Sequence, residues 1–117
     1  EWSKISKHCN REICEYGSKT GRKRRIFTFS KKMYEMAYQI NRPTDIILSM
    51  CDYLHPSIYG LTNLNFNSEA EYQIESWLLQ HIPDLCQNGR DRDKLLACFT
   101  GPSTDHVYWF KNPKDVL

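Results

Sequence analysis

The fold class of this chain turns on Pro43-Thr44-Asp45-Ile46-Ile47-Leu48-Ser49-Met50-Cys51-Asp52-Tyr53-Leu54-His55-Pro56. Ile46, Met50 and Leu54 lie four apart, with Ile47 and Cys51 beside them, which is the spacing of one face of a helix. Thr44 or Asp45 can cap such a helix at its start, and Pro56 stops it. The spacing therefore predicts a helix from Thr44 to His55.

Working toward the N-terminus, Asn41-Arg42-Pro43 breaks the chain. Before it, Ser30 can cap a helix whose inward face carries Met33, Met36, Ala37 and Ile40. Ile26-Phe27-Thr28-Phe29 has the β-branched and aromatic character of a short strand. Ser18 to Arg25 is polar, contains Gly21 and reads as a loop. Trp2, Ile5, Cys9, Ile13 and Tyr16 recur at steps of three and four, predicting an amphipathic first helix that stops at Gly17.

Toward the C-terminus, Ser57 to Asn67 reads as a loop. Ser68-Glu69-Ala70-Glu71 is a capping box, with Ser68 as N-cap. Its helix buries Ala70, Ile74, Trp77, Leu78 and Leu79 before Pro83. Asn88-Gly89 is a turn, and Asp91 to Phe99 is a short helix with Leu95, Leu96, Cys98 and Phe99 inward. Gly101-Pro102 is a further break, and Val107 to Phe110 is a strand or a last helical turn. The expected fold is mainly α: one compact domain, 1–117, of five or six helices with at most a small two-stranded β element. The order of the first elements also matches a winged-helix domain. The helix that would read DNA in that fold, Thr44 to His55, has no Lys or Arg and carries Asp45 and Asp52, a composition suited to packing or protein contact.

The 117 residues are 40% hydrophobic and 26% charged, with seven Tyr, five Phe and three Trp. A chain of this size buries roughly two-thirds of the surface it exposes when unfolded, enough to fold without a metal or disulfide. Net charge is +2, too small for a domain that is cationic throughout. No apolar run approaches the roughly 18 residues that span a bilayer, so no membrane partner is expected. The N-terminus lacks a signal-peptide pattern, although the chain opens on Glu1-Trp2.

Five cysteines, Cys9, Cys14, Cys51, Cys86 and Cys98, are widely spread and mostly lie in apolar-periodic segments. An odd, scattered set fits reduced core thiols and an intracellular setting, nuclear or cytoplasmic. A secreted factor with two disulfides and one free thiol is the competing reading.

The one strong charge cluster is Arg22-Lys23-Arg24-Arg25, preceded by Lys19 and followed by Lys31-Lys32. Seven of the 16 Lys and Arg residues thus fall within 14 positions. Lys19, Arg22, Lys23, Arg24 and Arg25 are candidate nucleic-acid-binding residues, because such a loop can meet phosphates and release their counterions. It can equally serve as a nuclear-import address, or be a solvated loop. Phe27 and Phe29 would add base stacking if exposed.

Other constellations are weaker. Cys9 and Cys14 with Cys51 and His55 make a nominal Cys3His set. On a continuous helix the first pair sits about 140° apart around the axis and converges poorly. Asp84 with Asp91-Arg92-Asp93-Lys94 lacks the acid-any-Lys spacing of a metal-dependent nuclease, and no Gly-rich phosphate loop is present. No metal, cofactor or catalytic residue is assigned, and the chain is read as not an enzyme.

No family pattern survives a residue-by-residue comparison. Glu12-Ile13 with Glu15-Tyr16, Pro43-Thr44, and His55-Pro56 with Tyr59-Gly60 resemble short motifs of the calponin-homology-like heads of outer-kinetochore proteins. They are scattered over about half the chain, the segment Ser18 to Arg25 departs from that pattern, and no residue role is carried over. The leading expectation is a non-catalytic intracellular domain that binds a protein partner. A nucleic-acid-binding domain using 19–25 is the alternative, and the secreted disulfide-containing factor is the second. The sequence carries no signal for an oligomeric state.

Overall fold

The computed structural model describes residues 1–112, so the last five positions of the 1–117 assignment lie outside the described residues. The segment 44–55 is not helical. Ile46–Leu48 forms a strand, β1. Met50 then takes a left-handed φ of 59°, and Cys51–Tyr53 makes a single 3-10 turn. Two adjacent isoleucines favour extended backbone. Ile46 and Leu48 turn inward while Ile47 faces out, the period-2 alternation of a strand.

The segment Asp91 to Phe99 changes class in the same way. A 3-10 turn at Arg92–Lys94 leads into strand β2, Leu95–Phe99. Five consecutive apolar residues suit a central strand covered on both faces. β2 pairs in parallel with β1, setting Ile46 against Leu95, Ile47 against Ala97 and Leu48 against Cys98, with an irregularity after Ile46. On its other side it pairs antiparallel with β3, Val107–Trp109, where Cys98 faces Tyr108. The sheet order is β1-β2-β3.

Among the described residues three α-helices accompany this sheet: α1, Trp2–Cys9; α2, Lys31–Asn41; and α3, Ser68–His81. The mainly α class, with five or six helices and at most two strands, is therefore overturned. A three-stranded mixed sheet is part of the fold. The winged-helix order falls with it, since its third helix is β1. Ile26 to Phe29 forms no strand either.

Parallel pairing of β1 with β2 demands a long crossover, and α3 lies within it. Ala70, Ile74 and Leu78, spaced four apart, are buried, and they join Ile58, Leu61, Ile82, Leu85, Leu95 and Cys98 in the main core. Each fully buried Ile or Leu contributes about 1.5–3 kcal/mol of transfer free energy. Leu79, read as inward, is exposed. The cap of α3 sits one residue earlier than the capping box implied. Asn67 Oδ1 accepts from the Glu69 N–H at 2.9 Å and the Ala70 N–H at 3.3 Å, and Ser68 is the first helical residue.

The first helix ends well before Gly17. Asn10 adopts a left-handed φ of 57°, a helix-ending conformation that asparagine tolerates. The Ser6 hydroxyl then clasps Ile13, accepting from its N–H at 2.8 Å and donating to its carbonyl at 2.9 Å. The chain is turned back on α1, and Cys9 and Ile13 are both buried.

After α3, Glu75 fastens the return to the sheet. Its carboxylate accepts from Arg92 Nη1 at 2.8 and 3.0 Å and from the Gln87 N–H at 3.0 Å. Arg92 Nη1 also reaches the Leu85 carbonyl at 3.1 Å, and its guanidinium lies 4.9 Å from the Phe110 ring centroid. Gly89 lets the intervening turn fold back onto 83–84. A Cβ there would stand 2.3 Å from the Asp84 carbonyl oxygen.

Candidate functional site

All five sequence-predicted residues, Lys19, Arg22, Lys23, Arg24 and Arg25, are exposed. The first four sit on a small antiparallel ribbon rather than an unstructured loop, and Arg25 directly follows it. Tyr16 bridges Lys23, the Gly17 N–H donates to the Arg22 carbonyl at 2.7 Å, and the Arg24 N–H donates to the Glu15 carbonyl at 2.8 Å. The turn closes through Gly21, whose φ of 68° suits glycine. The Trp2 indole N–H donates to the Arg24 carbonyl at 2.8 Å, tying the ribbon to α1.

The cations differ in their surroundings. Arg24 lies 4.0 Å from the Glu15 carboxylate. Lys19, Arg22, Lys23 and Arg25 make no ion pair among the described residues. The Arg25 guanidinium stands 5.0 Å from the centroid of the Phe27 ring, and Phe27 is 73% exposed. Phe29 is spoken for. Its ring meets Trp77 at 5.0 Å, His81 at 5.9 Å and Tyr34 at 6.1 Å.

Helix α2 carries a surface that the periodicity had turned the wrong way round. Met33, Met36 and Ile40, expected in the core with Ala37, are 71%, 55% and 78% exposed, Ala37 is exposed too, and no residue of α2 is buried. Its inward contacts come from two tyrosines four apart. Tyr38 donates its hydroxyl proton to Asp91 at 3.1 Å and accepts from Lys94 Nζ at 2.5 Å. Tyr34 leans on Phe29 and Tyr38, and burial, with the neighbouring Tyr38 and Asp91 charges adding to it, pushes its pKa up. The helix begins where expected, with Ser30 Oγ accepting from the Met33 N–H at 3.2 Å. It ends at Arg42, in a left-handed conformation just before Pro43.

A second apolar feature is a groove of about 330 Å³ between Phe29 and Tyr34, strand β1, and Ile74, Trp77 and Ile82. Ile47 and Met50 are exposed on its rim.

The cysteines are interior or half-buried, and all five are free thiols. The Cys9 thiol donates to the Asp52 and Tyr53 carbonyls at 3.5 and 3.4 Å. Burial pushes its pKa up, and Cys51 rises through its contact with the Cys98 thiol and through burial. Such thiols are poor nucleophiles and poor metal ligands. Because α1 stops at Cys9, Cys14 is not on that helix, and the two thiols do not share one helix axis. His55 Nδ1 accepts from the Ser57 N–H at 3.1 Å, and the His8 ring faces the Leu54 carbonyl at 2.6 Å. Among the described residues, no three His, Cys, Asp or Glu side chains gather as a metal site. Asp84 and Asp91 are both engaged by Arg90, at 3.1 and 3.5 Å.

Sequence reading missed a partly buried polar knot beside α1. Arg11 pairs with the buried Asp52 and lies 4.2 Å from the Tyr59 ring centroid, while the Tyr53 hydroxyl donates to Glu15. Burial and then Glu15 push the Tyr53 pKa well above the ordinary tyrosine value. These pairs join residues about 40 positions apart in sequence, a separation that local spacing does not encode. Among the described residues no helix is long and apolar enough to cross a membrane. No protein-family model matches the chain, and no curated protein matches it significantly.

Proposed function

We propose that this chain is a non-catalytic protein-binding domain that docks through the outward face of α2, in the nucleus or cytoplasm. The observation that carries the reading is the exposure of Met33, Met36 and Ile40 on a helix that buries none of its own residues. With Ala37 they stand at i, i+3, i+4 and i+7, the anchor spacing of an amphipathic helix laid into an apolar groove. The partner is thus a protein offering such a groove. Methionine suits this role because its flexible, polarizable chain adapts to an irregular surface.

Covering the three large side chains would recover about 4 kcal/mol, taking about 2 kcal/mol for a full burial and the part of each now exposed. That is an anchor rather than a whole interface, since association itself costs several kcal/mol. The non-catalytic part of the reading rests on Cys9, held protonated by burial, on Cys51, held protonated by its contact with Cys98 and by burial, and on Asp84 and Asp91 being engaged by Arg90. The compartment rests on Cys9, Cys51 and Cys98 serving as free interior thiols.

A photoreactive side chain placed at position 36, with the same group at the exposed Gln80 of α3 as control, tests the reading in cell extract. The expected result is an adduct to another protein from position 36 alone, abolished by excess unlabelled chain but not by excess of the M33D/I40D variant. Equal adducts from both positions, adducts only to a second copy of the chain, or none at all would overturn it.

A further inference from the structure

We infer that the ribbon spanning Glu15 to Arg24, with Arg25 and Phe27 beside it, is a binding site for single-stranded nucleic acid, separate from the α2 face. Charge segregation comes first. Residues 16–34 contain seven of the 16 Lys and Arg and no Asp or Glu, so the rest of the chain sets nine cations against 14 acids. The modest net charge conceals a strongly cationic segment attached to an anionic body. A polyanion is drawn to the first and repelled by the second.

The cations are also available. Among the described residues Arg22, Lys23, Arg25 and Lys19 have no ion pair to break when they meet a phosphate, so the counterions released by the polyanion drive binding without an opposing loss there. Arg24 has a different task. Its carbonyl holds Trp2 and its side chain approaches Glu15 and the Tyr16 carbonyl, so it fixes the ribbon in place. A solvated loop would have no need of that bracing.

Phe27 decides between a single strand and the other polyanions. Its ring takes no part in the core, and the Arg25 guanidinium lies against it. An exposed aromatic ring beside an arginine is a stacking platform for a base. The bases of a duplex are already stacked on one another, and the repeating anionic groups of a polyglutamate chain or a phosphatidylserine surface bring no flat ring with them. An unpaired strand supplies both the phosphates and the free base faces.

Fluorescence anisotropy with the full chain and a labelled 12-nucleotide single-stranded RNA, over a salt series, tests the site. Four phosphate contacts predict a log–log salt slope of about −2.8, which is an affinity loss of about 50-fold between 50 and 200 mM salt. R22A and R25A should each flatten the slope by about 0.7. F27L should weaken binding by at least about five-fold with the slope unchanged. M36D, on the α2 face, should leave both quantities as they are. Absence of binding at 50 mM salt would overturn the inference. So would a blunt-ended duplex binding as tightly, equal competition by polyglutamate or phosphatidylserine vesicles, or indifference to F27L in a variant whose circular dichroism is unchanged.

Discussion

Ile40 and Ile74 offer a matched pair of substitutions that separates the two faces of this fold. Both are isoleucines within α-helices, yet Ile40 is 78% exposed and Ile74 is 2% exposed. Ile74→Ala removes buried methyl groups next to Ala70 and Leu78 and leaves a cavity, at a cost of about 3.5 kcal/mol within the usual range of about 2–5. Ile40→Ala gives up only the roughly one-fifth of the side chain that is covered, about 0.5 kcal/mol. Alanine's better helix propensity returns about 0.4 kcal/mol, so the net change is near zero. At about 2.1 cal/mol/K per residue the unfolding entropy of this chain is about 0.25 kcal/mol/K. Ile74→Ala should then lower Tm by about 14 °C, and Ile40→Ala should move it by no more than about 2 °C. Thermal unfolding followed by circular dichroism, at two protein concentrations, reads both. A loss of more than about 8 °C from Ile40→Ala would mean that α2 packs its methionine face against its own body, and the docking proposal would fall with that orientation.

Three further outcomes follow from contacts already described. Asn67→Ala should cost about 1 kcal/mol in urea unfolding and Ser68→Ala should cost almost nothing; the reverse order would return the cap to Ser68. Arg92→Met should cost about 1–2 kcal/mol through the lost bonds to Glu75 and Leu85, less than for a fully buried pair because both side chains are partly wet. A double-mutant cycle with Glu75→Gln should assign about 1 kcal/mol to the pair, and a coupling near zero would refute the fastening role. On the alkaline side, Cys9, Cys51 and Tyr53 hold their protons more tightly folded than unfolded. The unfolded chain releases them first, so stability is full below the ordinary thiol value of 9.0 and the ordinary tyrosine value of 10.0 and is lost as pH rises past each. Tm measured from pH 7 to 11 should fall beyond pH 9, less steeply above pH 10 in Tyr53→Phe; a profile flat to pH 11 would contradict the assignment.

The elements legible in the sequence are those whose signal is local. Ser30 caps α2, Pro43 follows its end, and the 3.6-residue pattern from Ala70 to Leu78 marks α3 to within a residue at its start. The two segments read as the wrong class share one cause. Ile46 to Leu54 satisfies a helical template, and Leu95 to Phe99 is an apolar run that fits a buried helix or a buried strand equally well. What makes both extended is that each completes the other. Ile46 finds Leu95, and Leu48 finds Cys98, across the whole of α3. The β1–β2 pairing lies beyond the reach of local periodicity, unlike that of β2 with the nearby β3, and the same long separation hid the Arg11–Asp52 and Tyr53–Glu15 contacts.

For the candidate surfaces the lesson differs by chemistry. Charge is visible in a sequence because a run of cations that outnumbers the acids near it has few ways to become buried. Lys19 and Arg22 to Arg25 are accordingly all exposed. An apolar stripe has no such constraint, since it gains as much from a partner's surface as from its own core. On α2 both Met33–Met36–Ile40 and Tyr34–Tyr38 are apolar enough to face inward. The tyrosines face inward because Tyr38 also satisfies polar groups there, sitting between Asp91 and Lys94, while the Tyr34 ring packs beside Phe29 and Tyr38. A methionine at position 38 would take that hydroxyl from both the Asp91 carboxylate and the Lys94 ammonium. The helix is thus oriented by the Tyr38 hydroxyl and by the ring contacts of Tyr34, and its exposed methionines follow from that choice.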